Sequence, residues 1–426
     1  MNIEKTYTAF KQLLSTNRAI KRCSYVFLFF ITLSVFASFI ANDKPLICKY
    51  KNTWLFPAFS LKNQIDIGDE TINYNMAKEW KTLETDFVIF PPCAYSPNTI
   101  DADNAPRKSP FDEQVMTLKN GQLISLPVKY RHWLGTTQNG NDVLSCIIHG
   151  TKISISVGIF SMLIAGLLGI ILGACAGYFQ NNTLKIGVIQ VLLLMLSLFI
   201  SYFFCFIIRA DKLSEAFKTS GFWLFYQIVF TIYIFIQNTF LLLLLGKWID
   251  TKLNTANRFY FPIDTIISRV IEVLNSIPSL LLIIALSAIA KPSFSLLIII
   301  IGFLSWTNIA RLTRAEYLKA KQLDYVTSCR AIGMSYFRII IKHILPNVFP
   351  LILVQIVFGL AGAVLIEASL SFIGVGVPSN TITWGSLLNE AREHFSAWWL
   401  VVFPGLCVFT LIFIYNKIAN EISKIK

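Results

Sequence analysis

The elbow segment of this chain reads Tyr325-Val326-Thr327-Ser328-Cys329-Arg330-Ala331-Ile332-Gly333, continues from Met334 to Ile344, and ends in Leu345-Pro346-Asn347. It lies between two long apolar stretches, and its residues predict two short helices. Gly333 suits the left-handed residue that ends a helix, and Ser335 suits the N-cap of the next one. We expect Pro346 to close the second helix. The segment therefore predicts an elbow between two membrane helices.

The second predicted helix places four apolar side chains on one face at helical spacing, namely Phe337, Ile340, Ile341 and Ile344. Two interpretations stay open for this face. A basic amphipathic helix can lie on a lipid surface, and an apolar helix face can also dock into the groove of a partner protein.

The rest of the chain is strongly apolar. A membrane-spanning helix needs about 20 mostly apolar residues, and 55% of the 426 residues are hydrophobic while 14% are charged. Eight stretches meet the requirement: 23–42, 153–178, 186–208, 221–245, 265–290, 294–310, 348–367 and 397–416. This composition excludes an ordinary soluble enzyme and predicts an all-α polytopic membrane protein. The first stretch is too long for a signal peptide and is interpreted as an anchor.

The charges indicate how the chain is oriented. The net charge is +13, but the polar segment 43–152 holds equal numbers of basic and acidic residues, so the excess lies elsewhere, at both termini and in 311–347. Basic short loops stay in the cytoplasm. We therefore expect both termini and 311–347 to be cytoplasmic and 43–152 to be outside. Because no basic folded domain is present, this pattern argues against nucleic-acid binding.

The sequence offers no catalytic constellation. It has no G-x-x-x-x-G-K-[ST] phosphate-binding loop, so we do not expect this chain itself to hydrolyse ATP. Its four histidines lack metal-ligand spacing. We therefore expect no catalytic residue, no metal and no cofactor. Cys48 and Cys93 fall in the polar segment 43–152, where an oxidising compartment would make them candidates for a disulfide.

The elbow resembles the EAA loop of binding-protein-dependent ABC importer permeases, whose pattern is EAA, three residues, Gly, nine residues and I-x-L-P. Thr327-Ser328-Cys329 stands at the EAA positions, and Gly333, Leu345 and Pro346 match at the family spacing. The Glu, both Ala and the Ile of the family pattern are replaced here.

Further segments resemble the oligopeptide/dipeptide branch of that family. His132-Trp133-Leu134-Gly135-Thr136 with Asn141-Asp142-Val143-Leu144-Ser145 resembles the box before its second helix, and Glu367 to Gly376 with Trp384-Gly385 resembles its E-x-x-LSFLGLG segment. Asn42-Asp43-Lys44-Pro45-Leu46 and the long polar segment are most similar to the Yej-type second permease of peptide and microcin C importers. The resemblance covers about 23–178 and 264–416.

The resemblance implies a type I ABC importer permease core of six helices in the inner membrane, forming half of a translocation pathway for peptides or peptide-like compounds. It implies as partners a paralogous permease subunit, ATP-binding subunits and a periplasmic solute-binding protein. The residues implied to couple to the ATPase are Tyr325, Thr327, Ser328, Cys329, Gly333, Phe337, Ile340, Ile341, Leu345 and Pro346. Glu367 is implied to contact the pathway or the binding protein, with a solvated helix end as the alternative.

These expectations divide the chain into 1–42 (cytoplasmic N-terminus and first helix), 43–152 (periplasmic segment), 153–178 (core helix), 179–263 and 264–426 (core helices with the coupling loop 311–347). Residues 179–263 fall outside the resemblance and contain two apolar runs, which predict an inserted peripheral two-helix hairpin. A polytopic membrane protein outside the ABC class, either a channel or a membrane-bound enzyme, is the alternative function. It would explain the apolar stretches and charges but not the ordered motifs.

Three local patterns predict packing or anchoring. Ala165, Gly169, Gly173 and Gly177 form a stripe of small residues that lets another helix approach closely. Arg269 and Glu272 lie one helical turn apart and are interpreted as an interfacial anchor. Trp398 and Trp399 are interpreted as aromatic residues of the membrane interface.

Overall fold

The structure is a computed structural model that describes residues 18–50, 53–59, 64–67, 70–73, 80–81, 86–117, 121–183, 185–218, 222–252, 258–289, 292–375, 378 and 381–424. The basic N-terminal residues up to 17 and Gly376 of the E-x-x-LSFLGLG-like segment lie outside the described residues.

The described chain is mainly helical. Its helices are α1 (Arg18–Val35), α2 (Ala37–Ile40), α3 (Val143–Phe179), α4 (Val188–Tyr202), α5 (Ala210–Lys218), α6 (Phe222–Lys252), α7 (Ile263–Ser276), α8 (Ser279–Ile289), α9 (Phe294–Ala320), α10 (Asp324–Ala331), α11 (Tyr336–Arg338), α12 (Leu345–Ile373), α13 (Trp384–Glu393) and α14 (Trp399–Ile422). Within the described ranges, six helical segments are long and apolar enough to cross a membrane, or seven if the bent pair α7–α8 counts as one. The all-α polytopic fold class is therefore confirmed.

The centre of the fold is the pair α3 and α9, which pack along most of their length. A Cβ added at Gly169 would lie 2.7 Å from the Ile309 Cβ, and one added at Gly173 would lie 2.5 Å from the Ala310 carbonyl oxygen. Any larger side chain would push the two backbones apart. The close approach that the small-residue stripe predicts is therefore confirmed. Helix α12 packs on α3 as well, and α14 packs on α12 and α1.

Several predicted spans differ from the structure, and the stretch 23–42, predicted as an anchoring span, is not among the described helical segments that are long and apolar enough to cross a membrane. Helix α3 begins at Val143, ten residues before the expected start at 153, because polar residues of its first turns such as Ser145 and Thr151 are buried against neighbours. The stretch 265–290, predicted as one span, is broken into α7 and α8 with a bend of 80°. Pro278 explains the break, since proline disfavours helical geometry in the residue before it and Ile277 is extended.

The inserted hairpin, residues 185–260, lies beside the core. Helix α4 continues through a widened, π-helical turn at 203–208, and α6 returns alongside it. Both ends of the hairpin meet in an antiparallel ribbon of strands Lys185–Gly187 and Arg258–Tyr260. The apolar stretch of α6 has none of its residues buried, against 56% for α9. The hairpin contacts the core through α6, which packs on α9, and through Ala216 and Ile228, which pack with the core cluster.

The segment between α2 and α3, residues 41–142, is called the outer segment after its predicted location. It contains short antiparallel strands: Ile47–Tyr50 pairs with Thr53–Leu55 and Phe87–Ile89, Gln64–Ile67 with Glu70–Asn73, and Val115–Thr117 with Leu123–Ser125. Cys48 and Cys93 are both buried and both free thiols, in separate apolar clusters. The disulfide considered for them is therefore not formed.

Candidate functional site

The elbow, residues 324–346, begins with α10 and turns at Gly333. The φ angle of Gly333 is +76°. The Met334 N–H donates to the Cys329 carbonyl at 3.1 Å and the Gly333 N–H donates to the Arg330 carbonyl at 2.9 Å. These two bonds form a Schellman motif, so the predicted left-handed cap is confirmed. A Cβ at Gly333 would meet no atom within 4 Å, so the backbone angle alone requires glycine here.

The second half of the elbow differs from its prediction. The helix that starts at Tyr336 does not end at Pro346 but runs on through a widened turn, Ile339–Ile344, into α12. The prediction that Pro346 closes a separate helix is wrong. A π-helical turn shifts the hydrogen-bond pattern by one residue, which relieves the clash between a proline ring and the preceding turn. Ser335 occupies the N-cap position, although its hydroxyl makes no capping bond.

The widened turn also splits the predicted apolar face. Ile344 is buried and Ile340 is half-buried, whereas Phe337 and Ile341 are 74% and 41% exposed. Ile339, which is absent from the predicted face, is fully buried instead. The prediction of a single apolar face at regular helical spacing is therefore wrong. One extra residue in the widened turn rotates the side chains that follow it. The exposed apolar side chains of the elbow form a patch that we call the elbow patch: Ile332, Tyr336, Phe337 and Ile341.

The remaining residues predicted for the elbow fall on both of its sides. Thr327 and Ser328 are exposed, and their hydroxyls both donate to the Asp324 carbonyl at 2.8 Å. Tyr325, Cys329 and Leu345 are half-buried and pack against the core cluster around α9. α10 thus presents a polar face outward and an apolar face toward the membrane helices.

Two tyrosines that the sequence analysis did not select attach the elbow to the core. The Tyr317 hydroxyl on α9 donates to the Ile340 carbonyl at 3.2 Å, inside the widened turn. The Tyr178 ring, at the end of α3, lies 6.0 Å from the Tyr336 ring. The Arg330 guanidinium lies 5.2 Å from the centre of the same Tyr178 ring. Tyr178 directly follows the glycine stripe, and this position is the only feature of the sequence that could have indicated its role. The elbow therefore contacts both helices of the central pair.

Glu367 lies near the opposite end of α12 and is fully buried. Its carboxylate accepts hydrogen bonds of 3.0 Å from the hydroxyls of Ser154 on α3 and Ser371 on α12. The side chain reaches neither solvent nor the external surface in this structure. The alternative of a solvated helix end is wrong, and Glu367 instead ties α12 to α3.

Two tryptophans close the same end of the molecule. The Trp384 indole N–H donates to the Ile147 carbonyl at 3.0 Å, and the ring occupies the space next to Gly150. The Trp399 indole N–H donates to the Thr136 carbonyl at 3.1 Å, and its side chain is buried. Trp399 is therefore covered by the protein itself, whereas Trp398 is 39% exposed, and the interpretation of both as interface aromatics stays a prediction.

The outer segment is tied to α3 by buried charges around His132. The imidazole Nδ1 lies 2.8 Å from the Asp142 carboxylate, and Nε2 lies 3.1 Å from the Asp101 carboxylate. Asp142 also caps α3 by accepting from the Ser145 N–H at 2.7 Å. Burial alone would lower the pKa of His132, but the hydrogen bonds and charges of both aspartates outweigh it and raise that pKa. The imidazolium form is thus favoured in the fold.

A second, half-buried cation lies next to this group. The Lys81 ammonium is 3.2 Å from the centre of the Tyr95 ring, which stacks on the His132 ring at 4.1 Å. Burial lowers the pKa of Lys81 to about 8, although nearby carboxylates, including Asp101, oppose that change. His132 was singled out only as part of a motif, and its partner Asp101 is 31 residues away in sequence. Spacing alone could not pair them.

A polar cavity of about 820 Å³ opens between the outer segment, the end of α12 and helix α13. Side-chain amides of Asn98, Asn139 and Asn389 line it. The Asn389 Oδ1 is buried and accepts no hydrogen bond from any described residue. Burial raises the pKa of the Glu390 carboxyl, which also lines the cavity, and the nearby Gln138 N–H and Arg107 charge oppose that rise. Such a lining suits neutral groups that donate and accept hydrogen bonds.

The sequence profile of the family described as binding-protein-dependent transport system inner membrane component matches residues 253–423. That range contains α9, the elbow, Glu367 and Trp384. The chain is a permease of this transport class. Among the described residues, no three or more His, Cys, Asp or Glu side chains come together in a way that could hold a metal ion.

The permease is similar to proteins from several bacteria over much of its length. It is 26% identical over 393 residues to the inner membrane ABC transporter permease protein YejE of Escherichia coli, covering 91% of this chain and 87% of that protein. It is 25% identical to the peptidoglycan transport system permease protein YejE of Agrobacterium fabrum, covering 88% and 81%. The dipeptide transport system permease protein DppC of Haemophilus influenzae is 36% identical over 183 residues, covering 42% and 62%.

These similarities decide between the functions left open by the sequence. All three relatives are transport permeases, so the match favours transport over a channel or a membrane-bound enzyme. Permeases of this class work with ATP-hydrolysing subunits and a solute-binding protein. The elbow is the candidate contact for the ATP-hydrolysing partner.

Proposed function

We propose that this permease forms one half of the translocation pathway of an importer for peptides or peptide-like compounds. Its counterpart is a paralogous permease subunit, and a periplasmic solute-binding protein delivers the substrate. The names of its relatives, which include a dipeptide permease, support this substrate class. The amide-lined cavity supports it as well, because Asn side chains can hydrogen-bond both the N–H and C=O groups of a peptide backbone.

The observation that carries the proposal is the elbow patch. Ile332 and Phe337 are 75% and 74% exposed, on a segment whose other side is fixed to the core by Tyr317 and Tyr178. Contiguous exposed apolar side chains on an anchored segment indicate an interaction surface. The ATP-binding subunit covers this patch, in the manner of a helix seated in a groove.

The attachment of the elbow gives the mechanism. When ATP closes the two ATP-binding subunits, each carries its elbow with it, and the Tyr317 and Tyr178 contacts transmit the movement to α9 and α3. Because a glycine stripe holds these two helices in close contact, they reorient together as a rigid pair. ATP and the loaded binding protein need only favour one orientation by a few kcal/mol for the population to shift.

Substitution of Gly333 tests the coupling. Valine at a left-handed backbone position costs about 1–2 kcal/mol, which should distort the turn that positions the patch. We expect Gly333→Val to lower ATP-driven peptide uptake several-fold and to weaken co-purification of the ATP-binding subunit, with normal membrane insertion. Gly121→Val is the matched control, because Gly121 has a φ angle of +80° and open space but lies in the outer segment. Equal uptake and co-purification for both variants would refute the proposal.

The proposed orientation is tested separately. With the elbow in the cytoplasm, a single cysteine introduced as Arg338→Cys should not react with a membrane-impermeant maleimide in intact cells. It should react after the membrane is opened. The background must lack the eight native cysteines. A single cysteine introduced as Asn139→Cys, in the outer segment, should already react in intact cells. Labelling of position 338 from outside would overturn the orientation.

A further inference from the structure

A second cavity, of about 410 Å³, lies at the root of the inserted hairpin. The ammonium-bearing side chains of Lys185 and Lys247 line it, and Phe240, Leu243 and Leu244 of α6 form its apolar part. Leu243 and Phe240 precede Lys247 by four and seven residues, which corresponds to about 6 and 10 Å along a helix axis. The cavity thus has a cationic mouth and an apolar floor.

The two lysines are not neutralised by the protein. Within the described part of the chain, no carboxylate forms an ion pair with either ammonium group. Lys185 lies 5.1 Å from the centre of the Tyr260 ring and Lys247 is exposed. The one carboxylate in the cavity, Asp250, accepts a hydrogen bond of 3.3 Å from the Gln190 N–H at the start of α4. Its charge is therefore directed at the positive end of that helix.

The root of the hairpin lies on the elbow side of the molecule. The Phe179 ring, at the end of α3, is 6.1 Å from the Tyr336 ring of the elbow, and Lys185 follows six residues later. Asn181, between them, donates to the Thr265 hydroxyl at 2.9 Å. The cavity therefore follows the end of α3 that contacts the elbow, and the proposed cytoplasmic position of the elbow places it on the cytoplasmic side of the membrane.

We propose that this cavity binds the phosphate headgroup of an anionic phospholipid. Lys185 and Lys247 hold the phosphate, and the start of an acyl chain lies along Leu244, Leu243 and Phe240. Basic cavities between membrane helices at the cytoplasmic boundary suit this chemistry. Free inorganic phosphate would satisfy the two ammonium groups but would leave the apolar floor uncovered. The lipid therefore fits the whole cavity, and the hairpin root acts as a lipid site beside the elbow.

The test is titration of the full-length chain, purified in detergent, with phosphatidylglycerol or phosphatidylcholine, with bound lipid counted by native mass spectrometry. The double variant Lys185→Gln/Lys247→Gln should bind phosphatidylglycerol more weakly, by about fivefold for each lysine removed. Lys185→Arg/Lys247→Arg should retain binding. Lys152→Gln/Lys212→Gln is the matched control, because it removes two exposed lysines away from the hairpin root.

Two further arms distinguish a lipid from free phosphate. Leu244→Trp fills the apolar floor and should weaken phosphatidylglycerol binding with both lysines intact, and excess inorganic phosphate should not displace the lipid. Equal binding of the two lipids would overturn the proposal, as would an equal loss in the control variant. Displacement by inorganic phosphate, with no effect of Leu244→Trp, would assign the site to a free anion instead. Gel filtration of every variant verifies that each chain remains folded.

Discussion

The central helix pair and the inserted hairpin are both strongly apolar, yet they are packed in opposite ways. More than half of the apolar stretch of α9 is buried, whereas none of the corresponding stretch of α6 is. Along α3, glycines bring the backbone against the Ala310 and Arg314 carbonyl oxygens of α9. Along α6, a row of exposed rings replaces them, with Trp223 stacked on Tyr226 at 5.6 Å and Tyr226 on Phe230 at 5.9 Å.

This difference in burial shows that hydropathy alone does not distinguish the central helix pair of this permease from its hairpin. In a bilayer, apolar side chains gain little by leaving lipid, so helix association depends on close packing and on small residues. The glycine stripe supplies that packing in the core. The hairpin has bulky side chains instead, and its helix α6 contacts α9 far less extensively than α3 does. We infer that the core transmits motion and that the hairpin does not.

The largest effect should follow from breaking the central pair. A leucine at Gly173 places its Cβ 2.5 Å from the Ala310 carbonyl oxygen and 2.7 Å from the Thr313 Cβ. Overpacking of this kind costs about 1–3 kcal/mol or more. We expect Gly173→Leu to abolish transport and to reduce sharply the yield of monodisperse protein in detergent.

Gly362→Leu is the control for that variant, because Gly362 lies in a membrane helix but has open space around it. Its yield should stay close to that of the unmodified chain. If the two glycine variants behave alike, close packing of α3 on α9 is not what holds the core together.

A smaller effect should follow from substituting His132 in the outer segment. This segment, like the hairpin, lies outside the helical core, so the variant tests what attaches it. His132→Gln removes the cation that lies between the Asp142 and Asp101 carboxylates, and breaking a buried pair costs about 3 kcal/mol. The outer segment is thus held to α3 by charge. We expect a lower thermal midpoint for the variant, measured on the full chain in detergent.

The pH dependence of the same midpoint gives a second measurement. Because the pKa of His132 is raised in the fold, its stabilisation is complete below about 6.5, the ordinary histidine pKa, and is lost as the pH rises through the raised value. Lys81, with its pKa lowered to about 8, acts in the opposite direction at higher pH. The midpoint should therefore fall as the pH rises above about 6.5, and His132→Gln should remove most of that slope. An unchanged slope would show that His132 does not titrate there.

Several features of the fold could be predicted because they depend only on local sequence. The left-handed cap at Gly333 depends only on the φ angle of that residue, and the glycine stripe depends only on a four-residue period. Both could therefore be predicted from the sequence. The ordered motifs likewise predicted the permease class. Pro278 itself indicates a bend. Because apolar residues flank it on both sides, the stretch was nevertheless predicted as one continuous span.

Other features depend on contacts that no local pattern encodes. The widened turn at 339–344 rotates Ile341 outward and Ile339 inward, and regular helical spacing cannot anticipate an inserted residue. Trp399 has the sequence position of an interface residue, but a carbonyl of the outer segment receives its indole N–H. Similarly, Glu367 is buried because hydroxyls from two helices surround it, which required the packing to be known.

The most direct measurement removes the hairpin. Residues 184–260 are deleted and 183 is joined to 261 by a short Gly-Ser linker, which is sterically simple because Lys185 and Tyr260 are paired across the ribbon. The Asn181–Thr265 contact is kept. The shortened chain should insert, co-purify with its sister permease and ATP-binding subunits, and sustain ATP-driven peptide uptake near the level of the full chain. Normal insertion with loss of that assembly or uptake would show that the hairpin belongs to the working core.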